Sequence, residues 1–168
     1  MNLGKNSTLG AHVQSNSGSH LRIMADTAPA LRQSLTELTI ATPGPGLREI
    51  TREVADWVAD QRVTQGLLTL FCRHTSASLT IQENAAPAVR RDLQRWIERI
   101  APESAAYEHD DEGPDDMPAH LRSVLTGVQL SIPVMAGRMA LGTWQGIYLW
   151  EHRRRPHRRG VALHLLGA

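Results

Sequence analysis

The stretch from Val128 to Leu166 constrains the fold more than any other. It holds four short apolar runs, "VQLSIPV", "GRMALG", "WQGIYLWEH" and "GVALHLL", with Gly-, Pro- and Arg-rich turns between them. Strands that follow one another with only turns between them pair antiparallel, because a parallel crossover needs a dozen or more residues. Upstream, "LRQSLTELTIAT" (31–42) and "GLLTLFCRH" (66–74) also read as strands. Between them "LREITREVADWVAD" (47–60) sets Leu47, Ile50, Val54, Trp57 and Val58 near one helical face. A second helix is predicted over 85–100, where Val89, Leu93, Trp96, Ile97 and Ile100 recur at spacings of three and four, with Asn84 as N-cap and Pro87 in the first turn. A third, "PAHLRSVLTG" (118–127), is opened by Pro118 and closed by Gly127, with Asp115 and Asp116 near its positive end. The predicted class is α+β with mostly antiparallel sheets, not a doubly wound parallel sheet.

Residues 30–168 suit a single domain; 1–29, rich in Ser, Asn, Gly and His and without periodicity, read as a mobile extension. Met24 is an alternative start, since the patterned sequence begins soon after it. A net charge of +1 gives no global pull toward nucleic acid or membrane. Lys5 is the only lysine, which excludes a Schiff-base mechanism inside the fold. Cys72 is alone, so neither an internal disulfide nor a thiolate zinc cage can form. No apolar run approaches the ~20 residues of a membrane span. The N-terminus lacks the apolar segment of a secretory signal, so the expected location is the cytoplasm.

Chemistry concentrates in a few segments. "HTSASLTIQEN" (74–84) places a His, four hydroxyls and a Glu where a strand is predicted to end and a helix to begin. Thr75 and Ser76, beside a helix N-terminus, suit a phosphate or carboxylate; a plain Ser/Thr turn fits as well. Thr75, Ser76 and Ser78 lack the elbow glycines of a serine nucleophile. Glu83 could orient a ligating His, act as a general base, or simply stabilise the helix start.

His74, His109 and His120 fall in three separate segments. Imidazole is the commonest neutral metal ligand, and three protein ligands with one open position make a catalytic zinc site. The spacings match no zinc fingerprint, and three separately satisfied histidines remain the alternative. His152 shares a strand face with Tyr148 and Trp150, as pocket wall or ordinary packing. "EHDDEGPDDMPAH" carries six acids from Glu108 to Asp116, consistent with metal binding, Arg pairing or solvation. "RRRPHRR" reads as a turn whose arginines pair with acids; one stripe without interleaved aromatics makes a weak nucleic-acid surface. Trp144, Tyr148 and Trp150 supply flat apolar walls, for a ring-shaped ligand or for core and interface packing.

Taken together, "HTSASLTIQEN", "YEHDDEGPDDMPAHLRSVLTG" and "GRMALGTWQGIYLWEHR" closely resemble the YjbQ-like family of small proteins, often labelled secondary thiamine-phosphate synthase, from about Leu35 to Gly167. The resemblance implies β-sandwich-like sheets and a homotrimer. It implies that His74, His109 and His120 meet in one site holding a divalent metal, with zinc the first candidate. Glu83, Glu112, Asp116, Arg138, Trp144 and Gln145 fall on family motif positions. That places Glu83, Asp116 and Arg138 as catalytic candidates, and Thr75, Ser76, Arg122, Trp144 and Gln145 as substrate-binding ones. Arg122 stands where the family commonly has Lys, which keeps the positive charge but not a neutral amine. The implied reaction joins a pyrimidine diphosphate to a thiazole phosphate with loss of pyrophosphate. Such a site needs a divalent cation, an anion subsite and an aromatic wall. The contrasting expectation is a trimeric protein that binds a metal and a metabolite without catalysis.

Overall fold

The computed structural model describes residues 30–168; the extension expected over 1–29 lies outside them. The elements run β1 (Arg32–Thr42), β2 (Gly46–Glu49), α1 (Thr51–Asp60), β3 (Gln65–Cys72), β4 (Ala77–Glu83), α2 (Pro87–Ile100), α3 (Asp116–Thr126), β5 (Gln129–Met135), β6 (Arg138–Met139), β7 (Gln145–Glu151) and β8 (His157–Gly167). Five strands form one sheet in the order β1-β8-β3-β5-β6, and three form another, β2-β7-β4. The strand pairs are antiparallel, as the succession of turn-linked strands predicts. The chain is α+β.

Alternation builds the core. On β3 the residues Leu68, Leu70 and Cys72 are buried, while Leu67 and Phe71 face outward. Val161, Leu163 and Leu165 of β8 and Ile132 and Val134 of β5 join the same face. Leu79, Ile147 and Leu149 meet them from the smaller sheet, and Ile50, Val54 and Val58 close one end. Each such side chain contributes about 1.5–3 kcal/mol by leaving water. Cys72 packs here as a small hydrophobe, its thiol pushed up to about 11 by burial. Strand β7 is buried on both faces: Tyr148 and Trp150 lie under α2, where Trp150 Nε1 donates to Gln94 Oε1 at 2.8 Å and the Arg90 guanidinium stacks on the Tyr148 ring. The two-residue β5–β6 hairpin turns at Ala136 and Gly137, both at positive φ (49° and 76°), the geometry that lets a tight turn follow strand twist.

Two strands escape the sequence reading. Leu47 and Glu49, assigned to the first helix, instead pair with Trp150 and Tyr148 in β2. Within "HTSASLTIQEN", Ala77–Glu83 is strand β4, paired residue by residue with β7. The His74–Ser76 turn therefore joins two strands, and the helix-N-terminus anion site expected there does not form. Helix α2 starts at Pro87 after Ala86, not at an Asn84 cap; Glu83 Oε1 accepts from Ala86 N, at 3.1 Å, just ahead of the first turn. Helix α3 starts at Asp116, two residues before Pro118. Asp115 precedes it but makes no side-chain cap, because its carboxylate is taken by Arg153 and by the N–H of Arg154.

Candidate functional site

The first turn of α3 carries Asp116 and His120, four residues apart and so on one helix face. The preceding loop brings His109 back to them. His109 Nε2 lies 2.7 Å from Asp116 Oδ2, and His120 Nε2 lies 3.3 Å from the same oxygen. His120 Nδ1 is 3.1 Å from the Thr75 carbonyl, which can only accept, so Nδ1 carries a proton and, in the neutral ring, Nε2 is the lone pair. Asp111 Oδ1, 3.2 Å from His109 Nδ1, offers that ring the same service. The other oxygen of Asp116 is held by the Arg153 guanidinium, which also donates to Asp115 Oδ2 and to the Glu112 carbonyl. Burial pushes the Asp115 carboxyl up, but the Arg154 N–H and the Arg153 guanidinium outweigh it and hold the group below its ordinary range.

One ligand atom each from His109, Asp116 and His120 lie within 4.8 Å of one another. Donors around a tetrahedral zinc at about 2.0–2.1 Å stand roughly 3.3 Å apart, so small side-chain rotations would seat an ion. Two imidazoles and a carboxylate, oriented by a backbone carbonyl and an arginine, form a donor set that suits zinc or ferrous iron with coordination positions left open.

His74 is placed differently. The β3–β8 ladder ends where Arg73 N donates to the Gly160 carbonyl, at 3.1 Å. The chain then turns away, and Gly160 N donates instead to His74 Nε2, at 2.8 Å. The imidazole replaces a missing backbone acceptor. Its ligand atoms are not among the three that converge, so the expected meeting of three histidines becomes two histidines and Asp116. His74 still shares their cavity. A hollow of about 850 Å³ is lined by His74, Thr75, Ser76 and Ser123 on its polar side, with His120 at its edge and Phe71, Val124 and Val128 as apolar walls. Burial, then the nearby Arg159 guanidinium, hold His74 below the usual imidazole range, so it is neutral.

Beneath the turn lies a sealed polar layer. Glu151, fully buried, accepts from Thr42 Oγ1 and Arg159 Nε at 2.7 Å each, and from the N–H groups of His152 and Arg153 at 3.0 and 2.9 Å. Burial raises its carboxyl, and these bonds, Arg159's foremost, bring it below its ordinary value. Alongside, Ser78 Oγ and His152 Nε2 are 2.8 Å apart, and the Thr126 hydroxyl lies 2.6 Å from Ser78 Oγ. His152 is driven down to about 3, first by burial and then by the Arg122 guanidinium. Arg122 is itself buried and donates to the Ala101 carbonyl at 2.8 Å; it does not line the cavity, so its position is that of a core residue.

The remaining candidates sit elsewhere. Glu83 pairs with Gln145 at the far end of β4 and β7, six strand residues (about 20 Å) from the Ala77–Glu151 pair beside the cavity. Trp144 is exposed next to it, and Gln145 Oε1 accepts from Gly142 N in its own turn. Arg138 begins the short edge strand β6, paired with Met135 at the end of β5 remote from Gln129 and Phe71. Within one chain these four do not reach the histidines. The arginine turn does pair with acids: Arg153 with Asp115 and Asp116, Arg154 with Glu103, Arg159 with Glu151. Sequence reasoning missed Ser123 and Glu151, and it did not single out Arg153 from the acid-pairing arginines of its turn. Only the i, i+4 spacing of Asp116 and His120 carried a signal.

Comparison with known proteins agrees with the motifs. A family model for UPF0047 protein YjbQ-like matches residues 36–168. The UPF0047 protein sll1880 of Synechocystis sp. is 48% identical over 145 residues, covering 86% of this chain and 99% of its own. The UPF0047 protein YjbQ of Escherichia coli O157:H7 is 46% identical, covering 77% and 95%. Among solved structures, the conserved hypothetical protein TT1486 from Thermus thermophilus superposes with a TM-score of 0.67 at 38% identity, over 76% of this chain and 97% of that one. A YbjQ-like protein of unknown function from Sulfolobus solfataricus P2 shares the fold at 23% identity, with a TM-score of 0.78 over 83% of this chain and 100% of that one. With a domain-length match and relatives near one-half identity, this chain belongs to the YjbQ-like UPF0047 family.

Proposed function

We propose that the chain is a metal-assisted enzyme acting on a small phosphorylated or carboxylated molecule, with a divalent cation held by His109, Asp116 and His120 at the edge of the cavity. The observation that carries this is the His120 ring. Its proton is committed to the Thr75 carbonyl, so its lone pair faces the atoms that His109 and Asp116 present. Three electron-rich atoms crowded together repel unless a cation or a proton lies between them. Zinc and ferrous iron both suit the donor set, and zinc is the first candidate. When bound, such an ion supplies Lewis-acid polarisation of an oxyanion and a water of lowered pKa.

The chain's own residues supply the rest. Arg153 fixes the rotamer of Asp116. The Thr75 and Ser76 hydroxyls, which make no side-chain hydrogen bond among the described residues, can orient the anionic group, while Phe71, Val124 and Val128 shelter an apolar body. Thiamine-phosphate synthesis is the specific reaction the family resemblance implies, with the pyrophosphate leaving group as the anion. The implied homotrimer finds support in the outer face of the larger sheet, where Leu35, Leu67, Phe71 and Leu166 are exposed. A partner copy there would also be the source of any contribution from Glu83, Arg138, Trp144 or Gln145. Among the described residues no helix is long and apolar enough to cross a membrane.

Elemental analysis of the native protein, beside mass spectrometry of candidate substrates incubated with it, tests the proposal. One ion per chain and a product are expected, and His120→Ala should lose both. Metal without any product would instead favour a binding protein; product that survives complete metal removal would end the metal-assisted reading.

A further inference from the structure

His74 and His120 flank the same residue, Thr75, yet their hydrogen bonds commit them to opposite tautomers. His120 gives its Nδ1 proton to the Thr75 carbonyl. His74 accepts a hydrogen bond at Nε2, because Gly160 N–H can only donate. A ring that accepts at Nε2 is neutral only with its hydrogen on Nδ1. That Nδ1 has no protein partner among the described residues, and it is not one of the sealed, unpartnered atoms, so it opens to accessible space on a residue that lines the cavity. A metal ligand needs a lone pair, and here both nitrogens are spoken for. An oxyanion needs a donor, and the Nδ1–H is one.

We infer that His74 is not a metal ligand but a neutral hydrogen-bond donor, which fixes an anionic oxygen of the ligand through Nδ1–H while its Nε2 anchors the end of the β3–β8 ladder. This deepens the proposed function and rests on it for the placing of the ion. The ligand class follows from the neighbours. The donors are Nδ1–H of His74 and the hydroxyls of Thr75 and Ser76; the walls are Phe71 and Val124. Such a set recognises a phosphate or carboxylate attached to an apolar body. Arg73, whose guanidinium pairs with Glu37, adds no free charge to the anion.

The two jobs of His74 can be separated, because Gln and Asn imitate different nitrogens. In His74→Gln the amide oxygen reaches the Nε2 position and can still accept from Gly160, but nothing donates at Nδ1. In His74→Asn the amide nitrogen stands near Nδ1 and donates, while the Gly160 cap is lost. Full-length protein would be titrated with zinc alone, and the as-purified protein with inorganic phosphate by calorimetry, with thermal midpoints alongside. Zinc affinity should stay within about threefold in both variants. His74→Gln should keep its melting temperature and lose ten- to hundredfold in phosphate affinity, the usual range for one hydrogen bond to a charged group. His74→Asn should melt lower and keep phosphate affinity within about threefold. A collapse of zinc affinity in both variants would make His74 a ligand and overturn the inference. Phosphate affinity that His74→Gln leaves unchanged, or wild-type protein that binds no phosphate, would reduce it to a structural cap. Failure of the metal reading looks different: zinc binding would be absent in the wild type or indifferent to His120→Ala, while the Gln–Asn contrast in phosphate affinity persisted.

Discussion

Two clusters of histidines, carboxylates and hydroxyls lie on either side of the His74–Ser76 turn, and they differ in one respect above all. His109 and His120 are accessible at the protein surface, and both rings lie against the buried Asp116. Glu151, His152 and Ser78 are entirely sealed. In the outer cluster an uncommitted lone pair is an opening for a ligand, because water or an ion can fill it. In the inner cluster the same shortage is destabilising: His152 Nδ1 and Arg122 Nε have no partner and no access to solvent. Residue type alone does not separate chemistry from scaffolding; the path to solvent does.

The comparison breaks most sharply at Glu151. Its carboxylate receives Arg159, Thr42 and two backbone N–H groups while fully buried. Glu151→Ala would leave the Arg159 guanidinium uncompensated, and the expected loss is about 3–5 kcal/mol of folding stability. Chemical denaturation would check it. A loss under about 1 kcal/mol, the scale of an exposed ion pair, would mean that water reaches the layer and that it is not sealed.

The outer cluster should respond the other way round, in binding rather than in folding. His109→Gln removes one ligand from a ring that is two-fifths exposed. Stability should move by no more than about 0.5 kcal/mol, the usual size of a surface change. Zinc affinity should fall by ten- to hundredfold, about 1.4–2.7 kcal/mol. Competition with a chelating dye reads the second quantity, and thermal melting the first. A variant that binds zinc like the wild type would remove His109 from the site.

The same contrast explains what the sequence could and could not reveal. The antiparallel α+β class was legible, because alternation in β3, β5 and β8 follows directly from one buried and one exposed face. Strand β4 was not, since its leading hydroxyls resemble a turn, and only pairing with β7 makes them a strand. Strand β2 was hidden because Leu47 and Ile50 also fit a helical spacing, and tertiary pairing overrode it. At the site, Asp116 and His120 share a helix face by spacing alone. That His74 would face Gly160, 86 residues later, depends on where the β3–β8 ladder stops, and no local pattern records that. The acid-pairing of the arginine turn was legible as charge balance, but not which acid each arginine would take.

The smallest expected effect concerns His152, whose neutral form the fold imposes. Its folded value is about 3 against 6.5 for a free imidazole, with burial the main cause and Arg122 the second. Between these values the unfolded chain binds a proton that the folded chain refuses, so acid favours unfolding. The destabilisation from His152 is absent above about pH 6.5 and grows as pH falls toward 3, with a slope approaching but not exceeding about 1.4 kcal/mol per unit. The carboxylates held low, Asp115 and Glu151, add losses of the same sign, but only near and below their own ordinary range around 4. The window from about pH 6.5 to about 4.5 therefore leaves out the carboxylates and reads the imidazoles held low, His152 and, by burial likewise, His74, whose share is the same in the wild type and in a His152 variant. His152→Phe keeps the ring volume and cannot take a proton; urea unfolding across that window should give a visibly flatter profile than the wild type. Since the His109 and His120 rings both contact the Asp116 carboxylate, the measurement belongs in a His109→Gln, His120→Gln background that takes the outer cluster out of the comparison. Parallel profiles in that background would mean that His152 is protonated in the folded protein, and that the inner cluster is as open to solvent as the outer one.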